Sequence, residues 1–241
     1  DILDAPVTEA VYPTFIPSTR VAPESGLVSE AARRLAAAER PMLFVGDGIA
    51  YSRAQAELTR VAELLGAEVW EANNGELNMD TTHPHQQGAT GHMFGAQSLP
   101  ITRKGDVNLV CGTYMLPEVF PELGDIFATG AQVIHFDLDG YEIAKNHPVT
   151  LGAVADPKLA LVALAEALER TLTPAQRTAA QARSQAIGAA KTARIAEQKA
   201  KDVASRKDLP LHMSRFMEEL APRLPEDAVI FDEALTNSPP I

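Results

Sequence analysis

Along the first two thirds of the chain, short unbroken apolar runs alternate with apolar residues at helical spacing, and residues 40–71 show the unit most clearly. Met42, Leu43, Phe44 and Val45 follow Pro41 without a polar interruption, the pattern of a strand buried on both faces. Gly46-Asp47-Gly48 ends it with two residues tolerant of positive φ. Leu58, Val61, Ala62 and Leu65 then recur at i, i+3, i+4 and i+7, which predicts a helix with Ser52 as N-cap and Gly66 as its left-handed C-terminal residue. Residues 67–71 read as the next strand. Strand, turn, helix and strand in about 30 residues make a right-handed parallel crossover, which needs neighbours on both sheet faces.

The flanking pattern supplies them. Val28, Ala31, Ala32 and Leu35 predict a helix, residues 107–112, 131–136 and 149–154 read as further buried strands, and residues 117–128 offer a helix between the first two. The last crossover has the plainest start signal: Asp156 as N-cap, Pro157 at the first helical position, and Leu161, Leu164, Ala165 and Leu168 along one face. Five parallel strands alternating with helices make an α/β fold, an open doubly wound parallel sheet. Residues 73–92 read as a long polar loop carrying Gly75, Gly88 and Gly91, of the length that usually serves function or an interface.

Outside residues 25–170 the periodicity changes. Residues 1–24 hold Pro6, Pro13, Pro17 and Pro23 without a helical or strand period, and read as a linker from an upstream domain. Residues 171–208 are rich in Ala, Gln, Lys and Arg, with Ile187, Ile195 and Val203 as the large apolar residues over 175–204. That predicts a helical tether lying across a surface. At 209–241, a helix starting at Pro210 with Met213, Phe216, Met217 and Leu220 on one face, a turn, and a strand at 228–231 read as the start of a further, truncated domain.

Composition narrows the function classes. With 46% hydrophobic residues the chain can bury a substantial core. No apolar run approaches the roughly 20 residues needed to span a bilayer, and the N-terminus lacks signal-peptide character. Cys111 is the one cysteine, so a disulfide or Cys-rich zinc site is excluded and a reducing cytoplasm is expected. A net charge of −11 argues against nucleic acid or an anionic membrane as partner. Residues 174–207 run the other way, with eight basic residues against two acidic ones, and the basic helix is expected to dock on acidic surface.

Parallel sheets bind ligands at the carboxyl ends of their strands, which gives Gly46-Asp47-Gly48 the position of a nucleotide turn. The G-x-G-x-x-G spacing breaks at Ala50 and Tyr51, however, and an acid at 47 would repel a pyrophosphate on the helix N-terminus. A simple tight turn is the other reading. His83, His85 and His92, with Asp80 nearby, are a candidate metal cluster, but loop spacing favours hydrogen bonding. Asp137 and Asp139 suit either a ribose hydroxyl or a cap on the turn at Gly140. Cys111 sits in an apolar run, where its thiol would be inert. No Ser-His-Asp set, G-x-S-x-G elbow or paired carboxylates appear, so the residues point to no catalytic step.

Three stretches, in order and spacing, resemble the middle domain of thiamine-diphosphate-dependent enzymes of the acetolactate synthase, pyruvate oxidase and benzoylformate decarboxylase type. They are Arg40-Pro41-Met42-Leu43-Phe44-Val45-Gly46-Asp47-Gly48; Thr82-His83-Pro84 leading to Gly88 and Gly91; and Val133-Ile134-His135-Phe136-Asp137-Leu138-Asp139 with Glu142-Ile143. Asp1-Ile2-Leu3-Asp4-Ala5-Pro6 is similar to the exit from that family's pyrimidine-binding domain. Residues 209–238, with Val229-Ile230-Phe231-Asp232-Glu233, look like the start of its diphosphate-binding domain, most like the benzoylformate decarboxylase branch.

The resemblance implies a Rossmann-like central domain without a catalytic residue, in a parent that acts on 2-oxo acids as decarboxylase or carboligase. Thiamine diphosphate and magnesium would bind between the missing N- and C-terminal domains of a homodimer or homotetramer. It places the family's GDG to NN motif in the third domain, so that neither Gly46-Asp47-Gly48 nor Asn73-Asn74 corresponds to it. By position it makes Thr236, Asn237 and Ser238 candidate diphosphate contacts, with a plain turn as the other reading. Relatives resembling acetolactate synthase carry an Arg-Phe-Asp-Asp-Arg-like stretch where this chain reads Thr113-Tyr114-Met115-Leu116-Pro117, which implies a flavin-free parent, without FAD. The alternative class is a free-standing nucleotide-binding oxidoreductase on the same sheet.

Overall fold

The computed structural model describes residues 6, 8–10, 12–72, 75–91, 95–115 and 123–231. Strand β1 (Pro41–Val45) is buried at every position because it lies between two parallel neighbours, β2 (Glu68–Glu71) and β4 (Val107–Cys111), with both faces covered. Met42 pairs with Glu68 on one side and Asn108 on the other. Beyond β2 lies β3 (Gln86–Ala89), and beyond β4 lie β5 (Gln132–Asp137) and β6 (Leu151–Val154). The all-parallel sheet therefore runs β3-β2-β1-β4-β5-β6, an open doubly wound α/β fold.

Residue alternation divides the core. Leu43, Val45, Leu109, Cys111, Ile134 and Phe136 point to the face covered by α1 (Ser25–Ala37), α3 (Gln55–Leu65) and α5 (Pro157–Thr171), which contribute Leu35, Leu58, Leu65, Leu161, Leu164 and Leu168. Met42, Phe44, Val110 and Val133 point to the opposite face, which is thinner. It is filled by Trp70, Met115, Ile126 and Phe127, with Leu99 and Ile101 from the short α4 (Leu99–Thr102).

The last crossover forms as expected. Asp156 accepts the Leu159 amide at 3.0 Å, and Pro157 opens α5. Elsewhere the sequence reading needs correction. The sheet has six strands and not five, because the expected loop at 73–92 contains β3; Gln-Gln-Gly-Ala carries no β-branched or aromatic residue to signal a strand. Ser52 does not cap α3. It ends a separate short helix, α2 (Gly48–Ser52), where its hydroxyl donates back to the Gly48 carbonyl at 2.7 Å, and left-handed Arg53 (φ 57°) breaks the chain before Gln55. Of the helix expected over 117–128, residues 117–122 lie outside the described residues and 123–128 are not α-helical.

The tether is a helix of 31 residues, α6 (Pro174–Ala204), started by a capping box of Thr173 and Gln176. It docks on main-chain carbonyls, whereas the sequence suggested acidic surface. Its backbone at Ala180 meets Gly66, where a Cβ would lie 2.2 Å from the Ala180 oxygen, and Arg183 donates twice to the Leu65 carbonyl at 3.2 and 2.6 Å. These contacts pair a cation with the negative end of α3. Helix α7 (Met213–Leu220) follows, starting at Met213 and not Pro210, with His212 accepting the Ser214 amide. Residues 228–231 form no strand, and Val229, Ile230 and Phe231 are exposed. Among the described residues this strand signal of four residues has no pairing neighbour.

Candidate functional site

The carboxyl ends of β1 and β4 are the topological switch point of this sheet, where crossovers leave in opposite directions and such folds receive ligands. Here the two backbones meet each other. The Gly48 amide donates to the Gly112 carbonyl at 3.0 Å, and a Cβ on Gly48 would lie 2.6 Å from the Gly112 Cα. Gly112 itself is left-handed (φ 64°), and a Cβ there would lie 3.0 Å from the Gly48 backbone. Gly48 is not among the positive-φ residues, so glycine is needed at 48 for close approach and not, as the sequence suggested, for the turn.

Asp47 stands at the start of α2, where an anion would be favoured. Its carboxylate accepts the Glu76 amide at 3.1 Å and the Asn78 side-chain amide at 3.3 Å, while the Asn78 oxygen accepts the Ala50 amide at 3.3 Å. The chain thus places its own carboxylate here and uses it to fasten residues 75–78 over the rim. Glu71, at the end of β2, is buried beside it. Burial, and then the charge of Asp47, raise its pKa, opposed by the Gln86 amide.

At the end of β5, Asp137 accepts the Asp139 amide at 2.8 Å and Asp139 accepts the Tyr141 amide at 2.9 Å, two successive Asx turns. Capping is therefore what both carboxylates do here. Burial raises the Asp137 pKa, with Asp139 and Glu142 adding like charge. Lys145 pairs with Glu142 at 2.9 Å and stands over the Tyr141 ring at 4.2 Å. The charges named along this rim are carboxylates apart from Lys145, a setting that does not fit a diphosphate.

The candidate histidines are engaged in local hydrogen bonds. His85 Nδ1 lies 2.6 Å from the Ala67 carbonyl, His83 Nε2 lies 3.3 Å from Glu63, and Asp80 accepts both the amide and the hydroxyl of Thr82 at 2.8 Å. Among the described residues no group of three metal-ligating side chains converges. His92, Asn73, Asn74, Thr236, Asn237 and Ser238 lie outside the described residues. Cys111 is fully buried, and burial drives its thiol pKa well up.

One polar pair was not singled out by the sequence. His135, on the same β5 face as Val133, donates from Nε2 to the Thr113 carbonyl at 2.9 Å, leaving Nδ1 a buried acceptor without a donor. The His147 ring lies parallel to it at 6.1 Å, with Phe127 edge-on to His147 at 5.1 Å. Desolvation lowers both imidazoles, His135 to about 4. The signal was a lone His in an apolar strand, the usual mark of a core histidine.

A family model described as thiamine pyrophosphate enzyme, central domain, matches residues 28–164, more than half of the chain. The chain belongs to that family. Acetolactate synthase of Mycobacterium avium is 31% identical over 162 residues, covering 67% of this chain and 26% of that protein. The acetolactate synthase large subunit of Cyanidium caldarium is 30% identical over 137 residues, 57% of this chain and 23% of that protein. This central domain therefore spans about a quarter of the length of those relatives. The solved benzoylformate decarboxylase of Polynucleobacter necessarius shares its fold, with a TM-score of 0.61 at 21% identity over 93% of this chain and 38% of that one. No helix among the described residues is long and apolar enough to cross a membrane.

Proposed function

We propose that this chain is the architectural middle of a cytoplasmic thiamine-diphosphate-dependent enzyme that acts on 2-oxo acids as a decarboxylase or carboligase, and that its own residues perform no chemical step. Membership of the central-domain family carries the reading. The rim supports it from the chemical side: Gly112 takes the Gly48 amide, and Asp47 fills the anion position with the chain's own carboxylate. Neither leaves a cradle suited to diphosphate, so no step of the reaction is derived from these residues. Residues 25–170 act as the domain and 171–208 as a tether. Residues 1–24 link it to a pyrimidine-binding domain and residues 209–241 begin the diphosphate-binding domain, in a homodimer or homotetramer. Magnesium and thiamine diphosphate belong to those domains, and the parent is flavin-free, since residues 113–117 offer no arginine to meet a phosphate.

Calorimetric titration of the chain tests this. With magnesium present, thiamine diphosphate should give no binding below the millimolar range, and the chain should not decarboxylate 2-oxo acids. Micromolar affinity would overturn the reading, and submillimolar binding of a nicotinamide or adenine nucleotide would favour an oxidoreductase instead. Thr236, Asn237 and Ser238 are proposed diphosphate contacts of the intact enzyme, since hydroxyl and amide groups can donate to phosphate without adding charge. Replacing Thr236 and Ser238 by alanine there should raise the cofactor requirement several-fold with little change in substrate KM.

A further inference from the structure

Among the described residues, strand β3 has a strand neighbour on one side only. Along its other side runs α6, which approaches with cations. The Lys191 ammonium has three donors, and each finds a main-chain carbonyl: Thr81 at 2.7 Å, His83 at 2.8 Å and Gln86 at 2.7 Å. Only 9% of Lys191 is exposed. Arg194 forks onto the side-chain and main-chain oxygens of Gln87, both at 3.1 Å. Apolar contact beyond Arg183 is thin, with Ile187 half-buried. Gly188 passes near Pro84, while Ile195 and Val203 are exposed. Neither apolar cluster of the domain contains a residue of α6.

We propose that Lys191 is a charge-dependent latch: its ammonium gathers the carbonyls of Thr81 and His83, in the loop before β3, and of Gln86, at the start of β3, and so holds the C-terminal half of α6 on the domain. Loss of that charge frees α6 from about residue 184 onward while the doubly wound sheet stays folded. A neutral side chain of the same length would leave three carbonyls facing a partner with no donor. Separation of α6 would return them to water, so opening relieves the mismatch. Opening of the C-terminal half removes no member of either apolar cluster, while Ala180 and Arg183 keep the first half on α3. Since α6 leads directly into the segment after residue 204, the latch also sets where that segment begins.

Hydrogen exchange followed by mass spectrometry on the full chain tests the latch. In K191M, amides of residues 184–200 should exchange at least tenfold faster than in wild type, with β1 and β4 within twofold. Unchanged exchange in α6 would overturn the proposal. So would equal acceleration in β1 and β4, which would make Lys191 a strut of the whole domain. Wild type gives a check independent of the variant's folding. At low denaturant, residues 184–200 should open before the sheet, and one shared transition would overturn the latch equally.

Discussion

The amide of Gly48 and the carbonyl of Gly112 join across 3.0 Å at the switch point, so the place where a doubly wound sheet normally receives a ligand is closed by backbone. A methyl group at 48 would sit 2.6 Å from the Gly112 Cα, with backbone on both sides. Gly48→Ala should therefore cost about 3 kcal/mol, the upper range for overpacking. Gly112→Ala should cost at least as much, since left-handed strain adds to the contact. Urea unfolding checks both, and a loss under about 0.5 kcal/mol for Gly48→Ala would mean the two segments separate freely.

Cys111 should be silent in the folded protein. It is fully buried, and burial pushes its thiol up, so the reactive thiolate is not formed at neutral pH. An aromatic disulfide reagent at pH 8 should titrate no thiol in native protein and one after denaturation. Rapid native labelling would contradict the burial.

Acid should weaken the fold through His135. Its pKa of about 4 in the folded state lies below the ordinary 6.5, chiefly through desolvation, with His147 adding to the lowering and the Thr113 bond and Glu142 opposing it. Folding then favours the neutral ring. Stability from this group is intact above about pH 6.5 and falls as pH drops toward 4, by about 3 kcal/mol in all. His135→Phe should flatten that limb, although its stability at pH 7 drops because the Thr113 carbonyl loses its donor. Glu71 and Asp137, whose pKa values are raised, act in the opposite sense and cancel in the comparison. Equal slopes between pH 6.5 and 4 would clear His135.

Asp156 caps α5, the helix packed against α1 and α3. Asp156→Ala should cost about 1 to 2 kcal/mol, and Asp156→Asn far less, because either Asp or Asn can accept the Leu159 amide. Thermal unfolding of the two variants decides it, and equal losses would show that charge, not capping, is what matters.

Most of the fold was legible because its signals are local. Runs such as Leu109-Val110-Cys111 and sets such as Leu161, Leu164 and Leu168 carry their period in the sequence, and Asp156-Pro157 announces its helix directly. What escaped depends on partners distant in the chain. Gln86–Ala89 becomes a strand because β2 pairs with it on one side and α6 covers it on the other. Lys191 resembles every other lysine of its helix until Thr81, His83 and Gln86 are placed around it. At the rim, the sequence suggests only that the acid at 47 is hostile to pyrophosphate. Its positive task, fastening Glu76 and Asn78, required the return of residues 75–78.

The four anchors of α6 share one angular phase. At about 100° per residue, Ala180, Arg183, Lys191 and Arg194 fall within an arc of roughly 80° on a rod about 46 Å long. One residue inserted between Arg183 and Lys191 would rotate the ammonium by about 100° away from its carbonyls while the first two anchors stayed seated. Even a whole turn, which restores the phase, would carry the ammonium about 5.4 Å along the axis, so this interval is fixed in length, whereas beyond Arg194 the helix may lengthen or shorten by any number of residues. The tether's reach is adjustable only past its last anchor.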